Sequence, residues 1–217
     1  QFTPEEIRAV KEKEPDRRIV AYINTTAALK ALSDVCVTSS SAVKIVEEME
    51  GDKLLFIPDC NLGAFVKDKV KNKDIMLIKG GCPVHSAIKE EEALEAKKKH
   101  PEALLLVHPE CKPEVTKHAE YIGSTAGIID FAKKSTAKEF IIGTEISIAE
   151  FLQYECPDKK FYLLSKNLIC GDMKMTTLVD VYNTLKGIDS GEAFEIRMTA
   201  EEIAASRKPI DEMLKLG

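Results

Sequence analysis

The feature that most constrains the fold of this chain is an internal repeat with a period of 86 residues. Pro15 ends a charged segment and precedes an apolar run, and Pro101 does the same 86 positions later. Three further pairs of segments keep this offset without a gap: 35–39 with 121–125, 54–59 with 140–145, and 75–78 with 161–164. A shared register over this length predicts that the 217 residues form two copies of one structural unit.

Within each copy, short apolar runs alternate with longer amphipathic segments, a pattern typical of strand–helix–strand units that build a small parallel sheet. We therefore predict an α/β fold of two repeated three-layer αβα domains related by pseudo-symmetry. The predicted domains are 1–87 and 88–217, and the second carries a C-terminal helical extension from about residue 172. The predicted helices are 3–13, 25–32, 41–49, 61–70, 89–99, 112–118, 126–134, 147–155 and 199–215.

The charge balance excludes several classes of partner. The chain has 31 Lys and Arg against 36 Asp and Glu, a formal net charge of -5, with the two signs interleaved. This pattern argues against nucleic acid or an anionic membrane surface as the main partner. No segment approaches the roughly 20 apolar residues that span a bilayer, and residues 1–18 are too charged for a signal peptide. We expect a cytoplasmic protein that binds small molecules, with no nucleic acid and no membrane.

Polar residues follow the first predicted strand of each copy. Tyr22 and Asn24 lie there in copy one, and His108 and Glu110 occupy the corresponding place in copy two. Loops and helix N-termini converge at the carboxyl ends of parallel strands, so we expect these side chains to face a common crevice. A histidine and a carboxylate there could bind a substrate carboxylate or move a proton.

Hydroxyl residues follow the second predicted strand of each copy and precede a helix. They are Ser39 in copy one and the pair Ser124 and Thr125 in copy two. Serine or threonine at a helix start is usually only a cap. A cradle for a carboxylate or phosphate is the functional alternative, and the repetition of the feature in both copies favours it.

Two of the six cysteines occupy similar places in the repeat. Cys82 and Cys170 each follow the last strand of a copy, 88 residues apart, and glycine lies beside each. A single such thiol would be inert packing, whereas two suggest a shared metal site. We assign no metal role to the other four cysteines, which are Cys36, Cys60, Cys111 and Cys156.

Two thiolates are too few for a zinc or an iron–sulfur site. The repeat offset of 86 places a corresponding cysteine just upstream of Gln1. We therefore expect an earlier repeat unit and a third ligand upstream of Gln1.

Six motifs in this sequence resemble the quinolinate synthase (quinolinate synthetase A) family, and the resemblance covers essentially the whole chain. They lie at 21–27, 37–39, 81–85, 108–110, 123–125 and 170–174. The resemblance implies three α/β domains around a pseudo-threefold axis and a central [4Fe-4S] cluster held by one cysteine per domain. In that family, the fourth iron of the cluster has no protein ligand and acts as a Lewis acid on the bound substrate.

The resemblance implies an activity in de novo NAD biosynthesis: the transferase-type condensation of iminoaspartate with dihydroxyacetone phosphate to give quinolinate. It also implies a functional link to L-aspartate oxidase. Cys82 and Cys170 are then cluster ligands, and His85 lies near the cluster. The implied catalytic residues are His108, Glu110 and Tyr22, and the implied substrate-binding residues are Tyr22, Asn24, Ser39, His108, Glu110, Ser124 and Thr125.

The sequence departs from the family in one respect. The family's first domain, with its His-x-Tyr motif, a phosphate-contacting serine and the first cluster cysteine, has no counterpart in these 217 residues. A fragment of the enzyme, a split enzyme completed by another chain and a degenerate relative all stay open as explanations. The alternative of another class is a non-catalytic two-domain module that binds a small dicarboxylate and keeps Cys82 and Cys170 as thiols.

Overall fold

The structure, a computed structural model, describes residues 2–188 and 195–217. Its first half forms a four-stranded parallel sheet with helices on both faces. The strands are β1 Arg18–Tyr22, β2 Val35–Val37, β3 Lys53–Ile57 and β4 Asp74–Leu77. The helices are α1 Pro4–Lys13, α2 Ala27–Lys30, α3 Ala42–Glu48, α4 Cys60–Lys69 and α5 Pro83–Ser86.

The second half repeats this arrangement. Its strands are β5 Leu104–Val107, β6 Tyr121–Ile122, β7 Glu139–Gly143 and β8 Lys160–Leu163. Its helices are α6 Glu90–Lys99, α7 Pro113–Thr116, α8 Thr125–Lys134 and α9 Ser147–Glu155, followed by a 3₁₀ turn Asp172–Lys174, α10 Leu178–Gly187 and α11 Ala200–Leu216. No helix among the described residues is long and apolar enough to cross a membrane.

The two sheets have the same topology, which confirms the predicted fold class. The strand orders are β2-β1-β3-β4 and β6-β5-β7-β8, and all pairings are parallel. Strands β3 and β7 begin at Lys53 and Glu139, and β4 and β8 begin at Asp74 and Lys160, so both pairs keep the offset of 86. The repeat in the sequence is therefore a repeat of structure.

Each sheet is covered on both faces by apolar side chains. In β1, Val20 and Tyr22 pack into one cluster, and Ile19 and Ala21 pack into another. Successive side chains of a strand point to opposite faces, so these two clusters lie on the two sides of the sheet. This double burial explains why the strands are continuous apolar runs rather than alternating ones. It leaves the strand ends as the place where polar groups gather.

The last helix packs against the first sheet. Ile210 and Met213 of α11 contact the cluster that contains Ile19, and Leu216 contacts the cluster that contains Val20. The predicted helix at 199–215 lies within one residue of the observed one at each end. The unit around the first sheet thus includes residues from both ends of the chain, and the boundary between residues 87 and 88 stays a prediction from the sequence.

Candidate functional site

A cavity of about 810 Å³ lies at the carboxyl ends of the strands of both sheets. We call it the interdomain cavity. Its walls come from the loops after β1, β3 and β4 of the first sheet and after β5, β7 and β8 of the second. The predicted site residues that line it are Tyr22, Asn24, Cys82, Glu110 and Cys170. The two halves of the repeat therefore bring their polar strand ends together, as the topology of parallel sheets favours.

A compact group of titratable side chains lies in one wall of this cavity. Nδ1 of His85 is 3.3 Å from Sγ of Cys82 and 3.1 Å from Oε2 of Glu110. Nδ1 of His108 is also 3.1 Å from that carboxylate oxygen. The two imidazole rings stack with their centroids 4.9 Å apart. Glu110 thus lies against two imidazoles at once.

The local sequence explains how Cys82 and His85 come together. Cys82 is the N-cap residue of α5, and Pro83, whose fixed backbone angle suits the first helical position, follows it. Residues three apart on a helical turn lie on the same face, which places His85 beside the thiol. The backbone N–H of Cys82 donates to Oδ2 of buried Asp59 at 2.8 Å, so the loop after β4 is held to the end of β3.

The electrostatics of the group favour an ion pair. Burial alone would raise the pKa of Glu110, but hydrogen bonds from His108 and His85 outweigh it and lower that pKa to about 2. Burial alone would lower the pKa of His85, but its contacts with Cys82 and Glu110 outweigh it and raise that pKa to about 9. At neutral pH the wall therefore carries a carboxylate and an imidazolium in contact.

Tyr22 also lines the cavity, at the end of β1. Burial raises the pKa of its phenol, the negative charge of Glu110 adds to this shift, and a hydrogen bond with Ser39 opposes it. Nδ2 of Asn24 donates to the phenol oxygen at 3.0 Å. Tyr22 is therefore a neutral phenol with a fixed orientation, able to donate a proton to a ligand oxygen.

Four of the predicted site residues do not line the interdomain cavity. His108 is buried and its ring stacks on that of His85. Ser39 forms a hydrogen bond with Tyr22, which lines the cavity. Ser124 caps α8, where its side chain accepts the N–H of Gly127 at 3.1 Å, and Thr125 is the first residue of that helix. The cap is the structural role that serine usually has at this position. Substrate binding by these four residues stays a prediction.

Sequence reasoning missed three polar residues of the site. Asp59 and Glu145 each lie two residues after an apolar strand, β3 and β7, at the same offset of 86, and both line the cavity. Glu145 forms an ion pair with Lys174 at 3.1 Å. The hydroxyl of Thr144 lies 3.1 Å from Nε2 of His85, which joins the two domains. The repeat register, read for polar residues as well as apolar ones, was the signal that could have found Asp59 and Glu145.

The cysteines of this wall fit two ligands of an iron–sulfur cluster. Cys82 and Cys170 are partly exposed free thiols, and both line the cavity. Cys36 and Cys111 are buried, and burial raises the pKa of Cys36 and raises that of Cys111 to about 12. Only a thiolate ligates a metal strongly, so these two buried thiols are poor donors. The donor chemistry at the cavity therefore agrees with the implied cluster.

The matching family model and the similar curated proteins all belong to one enzyme family. The family model described as quinolinate synthetase A protein matches residues 1–215. A quinolinate synthase of Caldicellulosiruptor saccharolyticus is 52% identical over 216 residues, which cover 100% of this chain and 70% of the relative. One of Caldicellulosiruptor bescii is 48% identical over 99% of this chain and 70% of its own length. A "Quinolinate synthase 2" of Methanosarcina acetivorans is 44% identical over 99% of this chain and 68% of its own length.

Proposed function

The chain belongs to the family of quinolinate synthetase A proteins, and we propose that it acts as a quinolinate synthase. The proposed reaction condenses iminoaspartate with dihydroxyacetone phosphate to give quinolinate in de novo NAD biosynthesis. The observation that carries this proposal is the interdomain cavity, where Cys82, Cys170, Glu110 and Tyr22 line one space. The non-catalytic dicarboxylate-binding module is not favoured, because the relatives carry the name of the enzyme.

We propose that Cys82 and Cys170 hold a [4Fe-4S] cluster in this cavity. When bound, the cluster would supply a Lewis-acidic iron for a substrate oxygen. Among the described cysteines, only these two line the cavity, and a cluster needs at least a third ligand besides them. Cys36, Cys60, Cys111 and Cys156 have no proposed role in it.

Tyr22 and Asn24 are proposed to bind substrate. The neutral phenol of Tyr22 can donate to a substrate carboxylate or carbonyl, and Asn24 fixes its direction. Tyr22 is the last residue of β1, and Asn24 lies in the bend that follows, where its side chain reaches the phenol oxygen. A donor that is fixed before the substrate arrives loses little entropy on binding.

Glu110, His108 and His85 are proposed to position and move protons. A carboxylate with a pKa of about 2 is a weak base at neutral pH, so Glu110 serves to hold the imidazoles and to keep His85 protonated. His85 lies on the cavity wall, so it presents its side chain to the substrate. His108 lies behind it and contacts Glu110. The sequence alone assigned proton transfer to His108 and Glu110, and the geometry adds His85.

The proposed substrates imply a metabolic neighbour. An enzyme that oxidises L-aspartate supplies iminoaspartate, so we propose a functional link with L-aspartate oxidase. We also propose that the protein works in the cytoplasm, where its six cysteines would stay free thiols. Neither nucleic acid nor a membrane has a place in the reaction.

Anaerobic reconstitution tests the proposed cluster. The chain is supplied with iron, sulfide and an excess of a small thiol that can serve as the missing ligand, and we expect a brown protein with an iron–sulfur absorption band. Cys82→Ala should abolish the band, and the matched control Cys60→Ala should keep it, because Cys60 does not line the cavity. Absence of the band in the unsubstituted chain, or its loss in both variants, would contradict the proposal.

Removal of one hydroxyl tests the substrate site. We expect Tyr22→Phe to lower kcat/KM for quinolinate formation by about 100-fold, the effect typical of losing one fixed donor. Tyr162→Phe is the matched control, because its hydroxyl donates to Glu139 in the second domain and does not line the cavity. Unchanged kcat/KM in Tyr22→Phe would remove Tyr22 from the site.

A further inference from the structure

We propose that Thr144 of the second domain is a positioning residue, which fixes the imidazole of His85 of the first domain in the interdomain cavity. The hydroxyl oxygen of Thr144 lies 3.1 Å from Nε2 of His85, and both residues are buried. The effect of Thr144 on catalysis rests on the proposed synthase activity, because it acts through a side chain that serves that reaction. Its effect on the orientation of His85 is measurable without turnover.

The ends of two neighbouring strands form a socket for this imidazole. Strands β5 and β7 pair in parallel with Val107 opposite Gly143, so the next residues, His108 and Thr144, follow the sheet side by side. The backbone N–H of His108 donates to the carbonyl of Gly143 at 3.1 Å. His85 enters the socket from the first domain. Its ring stacks on that of His108, and its Nε2 lies beside the hydroxyl of Thr144.

The hydroxyl of Thr144 is a buried polar group at the end of an apolar strand. Thr144 is 2% exposed and directly follows β7. Pro58 occupies the position 86 residues earlier, so the repeat itself does not require a hydroxyl here. A buried hydroxyl costs free energy unless it forms a hydrogen bond, and valine has the same shape without that cost. Among the described contacts, the hydrogen bond of this hydroxyl is to His85, which gives the polar group its purpose.

Two contacts at different edges are needed to fix an imidazole ring. The last side-chain torsion of histidine is broad and roughly two-fold, so a half-turn of the ring exchanges nitrogen for carbon at each edge. Glu110 and Cys82 hold the edge with Nδ1, at 3.1 and 3.3 Å. Thr144 holds the edge with Nε2. A hydroxyl can accept from or donate to a ring nitrogen, so this contact persists whether or not Nε2 carries a proton.

The proposed reaction depends on this orientation. His85 lines the cavity and Thr144 does not, so Thr144 acts through the imidazole rather than on the substrate. Proton transfer requires the two heavy atoms to lie within about 2.6–3.2 Å of each other. A misplacement of about 1 Å can lower the rate about 100-fold. Because the two residues belong to different domains, the contact also makes the geometry of the site depend on how the domains pack.

Nuclear magnetic resonance of the full chain labelled with ¹⁵N-histidine tests the orientation. The spectra are recorded before iron is added, because iron would broaden the signals. The chain has four histidines, so the ring nitrogens give few signals, and His85→Gln identifies those of His85. Thr144→Val removes the hydroxyl and keeps the shape of the side chain. We expect it to shift the Nε2 signal of His85 and to leave the signals of His100 and His118, which have other partners.

Two variants are matched controls for this measurement. Thr144→Ser keeps the hydroxyl and removes a methyl group, so the Nε2 signal of His85 should stay in place. Ser165 is also buried near the end of a strand of the second sheet, and its hydroxyl accepts the N–H of Asn167 at 3.2 Å. Ser165→Ala should therefore leave all the histidine signals unchanged.

The two variants of Thr144 also separate positioning from packing. If Thr144 only filled space, Thr144→Ser would impair the chain more than Thr144→Val, because it leaves a cavity. Positioning predicts the opposite order. In the reconstituted chain, Thr144→Val should lower kcat for quinolinate formation by about 10–100-fold with little change in KM, and Thr144→Ser should retain most of the activity.

An unchanged Nε2 signal in Thr144→Val would overturn the proposal. Equal changes in Thr144→Val and Thr144→Ser would overturn it too, as would a shifted signal with unchanged kcat. The proposed function can fail separately. If the signal shifts as expected but the unsubstituted chain forms no quinolinate, the proposed function is wrong and the orientation of His85 by Thr144 stands. If quinolinate forms and the signal does not shift, the positioning role is wrong and the proposed function stands.

Discussion

The two loops that carry Cys82 and Cys170 occupy similar places in the repeat, yet the surrounding chain holds them very differently. The backbone of Cys82 donates to buried Asp59, and its thiol lies beside His85. Cys170 lies in a segment without helix or strand, and residues 171–183 are all exposed. A Cβ added at Gly171 would meet no atom within 4 Å, whereas one at Gly80 would lie 2.7 Å from a carbonyl oxygen.

This difference shows that a repeat sets the position of a thiol but not its surroundings. After Cys82 the chain continues Pro83, Val84, His85, which starts a helical turn and adds an imidazole. After Cys170 it continues with Gly171 and a 3₁₀ turn. The first loop is therefore organised before any metal binds, and the second has fewer neighbours that could hold it. The proposed cluster needs both loops.

The largest expected effect of this asymmetry on stability is at Asp59. Its carboxylate accepts the backbone N–H groups of Asn61, Leu62 and Cys82 at 2.8–3.0 Å. Asp59→Ala should lower the free energy of unfolding by about 3 kcal/mol, because a helix cap contributes about 1–2 kcal/mol and a buried N–H without a partner costs more. Urea unfolding followed by circular dichroism, with the midpoint and slope compared, measures the loss.

Glu145 is the control for Asp59, since it occupies the same place 86 residues later. Its side chain accepts the N–H of Ser147 at 2.9 Å and pairs with Lys174, whose side chain is 45% exposed. Glu145→Ala leaves only one N–H group without its partner, and Lys174 can turn to water, so the loss should be about 1 kcal/mol. Equal losses in the two variants would contradict the claim that the first loop is held more firmly than the second.

One glycine in each loop gives a second test of the difference between the two loops. Gly80→Ala should cost about 2 kcal/mol, because its Cβ would press on the backbone oxygen of Pro58 and the ring of Phe2. Gly171→Ala should change stability by less than about 0.5 kcal/mol, since φ there is -59° and the space is open. Urea unfolding of the two variants measures both losses. A neutral Gly80→Ala would mean that the loop before Cys82 moves freely.

The fold could be predicted from the sequence to a large extent because it repeats. Each predicted strand of one copy supported its counterpart, and α1, predicted at 3–13, runs from Pro4 to Lys13. Helix α10 was missed within the region predicted only as an extension. Two signals were usable there: Leu178, Val181 and Leu185 recur at helical spacing, and Thr177 and Asp180 form a capping box.

The site could be predicted only in part. The strand-end rule placed Tyr22, Asn24 and Glu110 on the cavity wall, because it depends on topology alone. The burial of His108 behind His85 depends on how the two domains pack, as does the contact between His85 and Thr144, 59 residues apart. A single sequence does not show such distant pairs. Local patterns also could not decide whether Ser124 faces the cavity or caps its helix.

The smallest expected effect concerns the contact that joins the first loop to the second domain. Nδ2 of Asn61 donates to the carbonyl of Glu110 at 3.0 Å and to the hydroxyl of Ser86 at 3.1 Å. Asn61→Ala should lower the free energy of unfolding by about 1 kcal/mol, the usual net contribution of a hydrogen bond. It should also lower kcat/KM for quinolinate formation, because Glu110 would lose a contact that holds its backbone.

Ser147 corresponds to Asn61 in the second domain, and its hydroxyl accepts only from the partly exposed Lys174 at 2.9 Å among the described contacts. Ser147→Ala should therefore cost less than about 0.5 kcal/mol and leave kcat/KM unchanged. The pair of variants separates two causes of the asymmetry. If Asn61→Ala lowers stability without lowering kcat/KM, the first loop is held through Asp59 alone. If both fall together, the contact between the domains is part of what organises the site.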